Sequence, residues 1–178
     1  IFKSDYYFPL TKDEKMVLNT RFAFGYLGYY NQDIGPSPFE NFYLGGDGMT
    51  GYSFYGREVI ALRGYINGSL TPNDPVRGVS SGNVYSKITF ELRYPISLKP
   101  QATVYVLTFL EAGRAWYKLS EYNPFKMNRS AGIGLRANLP MFGLLGIDWG
   151  YGFDPVPDPS MYPNGNKSQF HFVIGQQF

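Results

Sequence analysis

Alternation with a period of two runs through most of this chain, and it commits those segments to strands with two chemically different faces. It is clearest between Ser168 and Phe178. There Phe170, Phe172, Ile174, Gln176 and Phe178 share one face, and Gln169, His171, Val173, Gly175 and Gln177 the other. Just before it, Leu145, Ile147, Trp149, Tyr151 and Phe153 oppose Gly146, Asp148, Gly150, Gly152 and Asp154. Ala131, Ile133, Leu135, Ala137 and Leu139 oppose Ser130, Gly132, Gly134, Arg136 and Asn138. Val84, Ile88, Phe90, Leu92 and Tyr94 oppose Tyr85, Lys87, Thr89, Glu91 and Arg93. Met16, Leu18, Phe22, Phe24 and Tyr26 oppose Lys15, Asn19, Arg21 and Gly25. Ala102–Trp116 is apolar on both faces, which leaves its orientation open, and residues 1–8 read as the end of one more strand. The pattern predicts an all-β chain with seven strands at about 1–8, 14–30, 83–98, 102–116, 129–139, 144–154 and 168–178.

Alternation alone does not separate a soluble barrel, with its apolar face inward, from a membrane barrel, with its apolar face outward. Three features favour the membrane. The minor faces combine glycine with serine, asparagine, aspartate and arginine, which suits a wet interior with room for something to fill it. The strands run to about 10 residues or more, the length of a tilted membrane strand. Connections also alternate in length. Short links lie near Thr11–Asp13, Lys99–Gln101 and Met141–Gly143, and long ones at Gln32–Ser81, Tyr117–Asn128 and Pro155–Lys167. Aromatics near strand ends (Tyr26, Tyr29, Tyr30, Tyr94, Trp116, Tyr117) suit interfacial girdles. Seven strands leave two open edges, and unpaired backbone in hydrocarbon is costly, so further strands are expected to complete the barrel. Residue 1 opens in mid-pattern, which points to a partial or processed chain whose export signal lies upstream. With long loops outside, as in bacterial barrels, Phe178 ends at the periplasmic face.

Several function classes fall away. The chain has no cysteine, so disulfides and thiolate metal sites are excluded. A net charge of +2 gives no nucleic-acid footprint. Gly45-Gly46-Asp47-Gly48 lacks the lysine and hydroxyl residue of a phosphate loop. Glu91 and Glu111 could form a catalytic carboxylate pair, but nothing else supports one. His171 is the single histidine, and no triad is visible around it. The three Asn-X-Ser sequons read as chance in a bacterial outer-membrane protein.

The segment Gln32–Ser81 is too long for an ordinary connection. It holds Phe39-Glu40-Asn41-Phe42-Tyr43-Leu44-Gly45-Gly46-Asp47-Gly48 and then Leu62-Arg63-Gly64-Tyr65. These two phrases resemble the sixth loop of the BamA family of outer-membrane assembly factors. So do four later ones: Phe90-Glu91-Leu92-Arg93-Tyr94-Pro95, Phe109-Leu110-Glu111-Ala112-Gly113, Arg129-Ser130-Ala131-Gly132-Ile133-Gly134 and the terminal Phe170–Phe178. They occur in family order. One departure is the stretch Met49–Ala61, which lengthens the loop and leaves its tip conformation open.

The resemblance implies a sixteen-strand transmembrane antiparallel barrel, of which this chain supplies about the last seven strands, behind periplasmic POTRA domains. It implies a loop folded into the lumen, with Arg63 meeting acidic wall residues that map to Glu91 and Glu111. It implies a lateral seam between first and last strands, eased by a kink at Gly175, and a terminal aromatic, Phe178, of the kind that the assembly machinery recognises. The implied function is non-enzymatic: insertion of unfolded barrel clients into the outer membrane, alongside accessory lipoproteins and outer-membrane lipid, without nucleotide or metal. A related transporter (TamA-like or of two-partner secretion), a passive pore, and a soluble ligand-binding barrel remain alternatives. Chemistry alone agrees for Glu91, which lies on the polar face with Lys87 and Arg93; Glu111, isolated in an apolar strand, would be costly unpaired, and the donor fork of Arg63 could satisfy one or both carboxylates while Gly64 allows close approach.

Overall fold

In the computed structural model the described residues are 1–29, 40–48, 58–73, 78, 80–99, 101–140 and 143–175. They form β1 (Phe2–Pro9), β2 (Val17–Tyr26), β3 (Phe42–Leu44), β4 (Glu58–Ile60), β5 (Val84–Lys99), β6 (Ala102–Trp116), β7 (Asn128–Leu139), β8 (Gly143–Gly152) and β9 (Ser168–Ile174). Seven of these make one antiparallel sheet in the order β1-β2-β5-β6-β7-β8-β9. Consecutive large strands pair side by side, and the long segment between β2 and β5 carries the two three-residue strands β3 and β4, paired in parallel. Strands β5, β6 and β7 span 16, 15 and 12 residues, enough to cross a bilayer at a tilt.

The two faces are sorted in the sense opposite to a soluble protein. Phe170, Phe172 and Ile174 on β9, Ile147 on β8, Leu135 on β7 and Leu110 on β6 all stand exposed on the outer side. Asn19, Thr89, Glu91, Glu111, Arg136, Asp148 and His171 are buried on the inner side. Apolar side chains facing outward are stable against hydrocarbon and costly against water, so the sheet is the wall of a transmembrane β-barrel. The apolar core lies inside that wall, near the end where the long connections emerge. It is built by the long loop (Phe42, Leu44, Ile60, Leu62, Tyr65, Leu70) against Tyr85 of β5 and Ala115 of β6. This explains why β6 reads as apolar on both faces: Leu107 and Phe109 point inward and are covered by protein instead of water, while Val106 and Leu110 point out.

The turns depart from the pattern in ways local chemistry explains. Strand β2 starts at Val17, not near residue 14, because residues 10–16 close a wider turn. There Leu10 N–H donates to Met16 O (2.8 Å), Glu14 N–H to Thr11 O (3.0 Å) and Met16 N–H to the Thr11 hydroxyl (3.2 Å). Glu14 takes a left-handed φ of 55° to do so. In β5 the register with β6 shifts between Pro95 and Ser97, since proline has no N–H for the ladder. Of the aromatics assigned to girdles, Tyr26, Tyr29 and Tyr94 are exposed, whereas Trp116 is buried against Tyr122, 4.9 Å ring to ring, because the β6–β7 connection covers it. Tyr30, Phe39, Phe178 and most of Met49–Ala61 lie outside the described residues.

Candidate functional site

The inner wall and the long loop meet at one arginine. Leu62 and Gly46 are bridged in antiparallel fashion, with Gly46 N–H donating to Leu62 O (3.2 Å) and Leu62 N–H to Gly46 O (3.0 Å). Gly45 N–H donates to Ile60 O at 3.0 Å, so the double glycine and the tetrapeptide, separate in sequence, form one small structure. It aims Arg63 at the wall. Arg63 Nη2 donates to Glu91 Oε1 (2.6 Å) and Glu111 Oε1 (2.8 Å), and Nη1 to Asp148 Oδ2 (3.3 Å). Its backbone N–H donates to Glu111 Oε2 (2.8 Å), and its guanidinium lies 3.7 Å above the Phe109 ring. Three strands, β5, β6 and β8, are thereby tied to one side chain. The flat, forked donor set makes this possible, since an ammonium is a point charge with no such fan of contacts.

Each carboxylate serves further cations. Glu91 accepts from Arg21 (3.0 Å) and Arg93 (2.6 Å), Glu111 lies 3.1 Å from the Lys87 ammonium, and Asp148 accepts two bonds from Arg136 (2.7 and 2.6 Å). With their lone pairs spent on these donors, Glu91 and Glu111 suit anchoring and not proton transfer. Burial opposes the Arg63 charge, but Glu111, Glu91 and Asp148 outweigh it and hold its pKa above the ordinary value.

The next two residues extend the attachment. Gly64 N–H donates to His171 Nε2 on β9 at 2.9 Å, so that nitrogen is the unprotonated one. Gly64 has φ of 86°, and a Cβ there would stand 2.8 Å from the Tyr151 carbonyl carbon and 2.9 Å from Gly152 N. Tyr65 donates its hydroxyl proton to Arg129 O (2.8 Å) and accepts from Asp154 N–H (3.2 Å), and burial pushes its pKa up to about 12. Residues 63–65 therefore touch β5, β6, β7, β8 and β9 in turn.

The sequence singled out Arg63, Glu91 and Glu111, and the structure brings these three together. Asp148 and Arg136 were not singled out, and Phe109 and His171 were named without a role against the loop. The available signal was their place on inner faces among glycines, where a charge or a ring must have a partner. Gly175 adopts φ of 84° just after β9, with nothing within 4 Å of where a Cβ would be among the described residues, and its N–H donates to Leu144 O at 2.7 Å. Backbone conformation, not crowding, calls for glycine there.

The Gly64–His171 bond gives a direct test of the β9 attachment. His171→Leu removes the acceptor and leaves a buried N–H unpaired, at a cost of about 1–3 kcal/mol. The urea midpoint followed by tryptophan fluorescence should fall accordingly. An unchanged midpoint would mean the bond adds nothing to the loop's hold.

Residues 2–178 match the Omp85 superfamily domain. The fold is similar to that of a crystal structure of BamA from Haemophilus ducreyi lacking POTRA domains 1–3, with a TM-score of 0.67 and 21% identity. The match covers 96% of this chain and 33% of that one, so the chain spans about a third of the length of that structure. No curated protein matches the sequence.

Proposed function

The chain belongs to the Omp85 superfamily of outer-membrane β-barrels, and from that premise we propose that it is the C-terminal wall of a barrel that inserts other β-barrel proteins into the outer membrane. The observation that carries this reading is the loop pinned inside the wall by Arg63, shared among Glu91, Glu111 and Asp148. A simple pore has no need of a lumen loop whose one arginine is shared among three wall carboxylates and whose Ala61 carbonyl accepts from Lys87 of the wall. An insertase does, because a seam that opens sideways needs the rest of the wall braced from within.

In this reading β9 is the last strand, and its free edge pairs weakly with the barrel's first strand. An opened seam presents unpaired N–H and C=O groups, and an incoming client strand satisfies them by β-augmentation. Gly175, just after β9 with φ of 84°, would ease a kink in this strand as the seam opens, while its N–H stays on Leu144 O of β8. Clients would arrive unfolded on the periplasmic side with the help of accessory lipoproteins, the long loops would face outward, and the chain's end would lie in the periplasm. No nucleotide is needed, since folding in the bilayer is itself downhill.

Reconstitution of the intact protein tests the proposal. Vesicles that contain it should fold a urea-unfolded client barrel faster than empty vesicles of the same composition, read as heat-resistant client on semi-native gels. A disulfide between cysteines on the barrel's first strand and at Val173 should abolish the gain, and reduction should restore it. Equal folding with and without the protein would leave a pore or an exporter as the function. A full gain with the seam locked would remove the seam from the mechanism.

A further inference from the structure

The connection between β6 and β7 does the reverse of the long loop. Tyr122 packs edge-on between Phe24, 5.6 Å away, and Trp116, 4.9 Å away. Both partners sit on outward-facing positions, Phe24 on β2 and Trp116 on β6, so this segment leans over the outside of the wall instead of across its interior. It leaves Leu119 about half exposed and Phe125 95% exposed next to the lipid-facing surface.

Beside it lies a hollow of about 600 Å³ whose lining includes Arg114, Phe125, Lys126, Met127, Arg129 and Asp154. Arg114 shares the outward face of β6 with Leu110 and stands two residues from the end of that strand. Arg129 is committed to Asp154 through contacts of 2.9 and 3.0 Å. Arg114 and Lys126 have no carboxylate partner among the described residues. An arginine on the lipid face of a barrel is costly at mid-bilayer and nearly free at headgroup level. A cation with a long apolar stem, next to the almost fully exposed Phe125 ring, has the division of chemistry found at that level: charge to the phosphates, rings to the acyl chains.

We propose that this hollow seats the phosphorylated headgroup of a membrane lipid, with Arg114 and Lys126 on the phosphate and Phe125 and Leu119 among the acyl chains. The occupant follows from complementarity of charge and position. Arg114 and Lys126, without a carboxylate partner among the described residues, line one hollow on the outer side of β6, and the apolar groups beside them would make no contact with a soluble anion. The site lies on the opposite side of the wall from the Arg63 cluster and is independent of the insertase reading.

The test uses the intact barrel purified in detergent, offered equal amounts of dioleoyl phosphatidylglycerol and dioleoyl phosphatidylcholine, with retained lipid counted by native mass spectrometry. The wild type should retain phosphatidylglycerol in preference, and Arg114→Gln with Lys126→Gln should lower that retention about tenfold or more while phosphatidylcholine is unaffected. The charge-preserving pair Arg114→Lys with Lys126→Arg should keep it, which separates loss of charge from loss of fold. Equal retention in wild type and the glutamine variant would overturn the proposal. So would displacement of the lipid by inorganic phosphate at the same concentration, which would make the site one for free anions.

Discussion

Arg63→Ala in the intact barrel will release the long loop from the wall and lower both the heat-resistant folded fraction and the rate of client assembly. Breaking a buried ion pair by deleting one partner costs roughly 3–5 kcal/mol when the other charge is left alone. Here the carboxylates are not left alone. Glu91 keeps Arg21 and Arg93, Glu111 keeps Lys87, and Asp148 keeps Arg136. The expected loss is therefore about 2–4 kcal/mol, below that for an isolated buried charge. The wall should still form, because its ladders do not depend on Arg63. What disappears is the tie between β5, β6 and β8 through one side chain.

The conservative exchange is the sharper comparison. Arg63→Lys keeps the charge but offers three donors at one point, and it cannot reach Glu91, Glu111 and Asp148 together or stack flat on Phe109. It should rank close to Arg63→Ala in client assembly, not close to wild type. A lysine variant with normal assembly would mean that charge neutralisation alone matters and that the geometry of the fork does not. A normal heat-resistant fraction for Arg63→Ala would remove the brace altogether.

How far these features could be read from residues alone depended on distance along the chain. The large strands were legible because alternation is local: Phe170, Phe172 and Ile174 need no partner to declare a face. Strand β6 was not fully legible. Its inner Phe109 lies under the guanidinium of Arg63 from the long loop instead of facing lumen water, and nothing nearby in sequence signals that. Asp148 and His171 stood on the polar faces of β8 and β9, yet their partners Arg63 and Gly64 are 85 and 107 residues away. Only the fold brings them together. Strands β3 and β4 are three residues each and pair in parallel across residues 45–57, too short for any periodicity to show. The resemblance supplied Arg63 with Glu91 and Glu111 but not Asp148, because the motif phrases did not include it.

Gly64→Val should be the most damaging single exchange at this site, more so than Arg63→Ala. A non-glycine residue at φ of 86° costs about 1–2 kcal/mol on backbone grounds. The added carbons then meet atoms that cannot swing away. The first stands 2.8 Å from the Tyr151 carbonyl carbon and 2.9 Å from Gly152 N, both within the β8 ladder. On the opposing side the wall has been cleared for this contact, since a Cβ on Gly150 would come within 2.7 Å of Gly64 N and one on Gly152 within 2.7 Å of Gly64 O. Overpacking of this kind adds about 1–3 kcal/mol, and the displaced loop would also lose the Gly64–His171 bond. The total, about 3–8 kcal/mol, is comparable with the whole stability of a small domain. The loop can escape that strain only by leaving the wall, which takes Arg63 out of reach of Asp148 and Tyr65 away from Arg129. The variant should therefore show the Arg63→Ala defect in assembly together with a larger fall in heat resistance. Substituting Gly78, which also has a positive φ but nothing within 4 Å among the described residues, should cost only the backbone part. If Gly64→Val behaved no worse than Gly78→Val, the close packing of the loop on β8 would have no energetic consequence, and the brace would rest on the arginine alone.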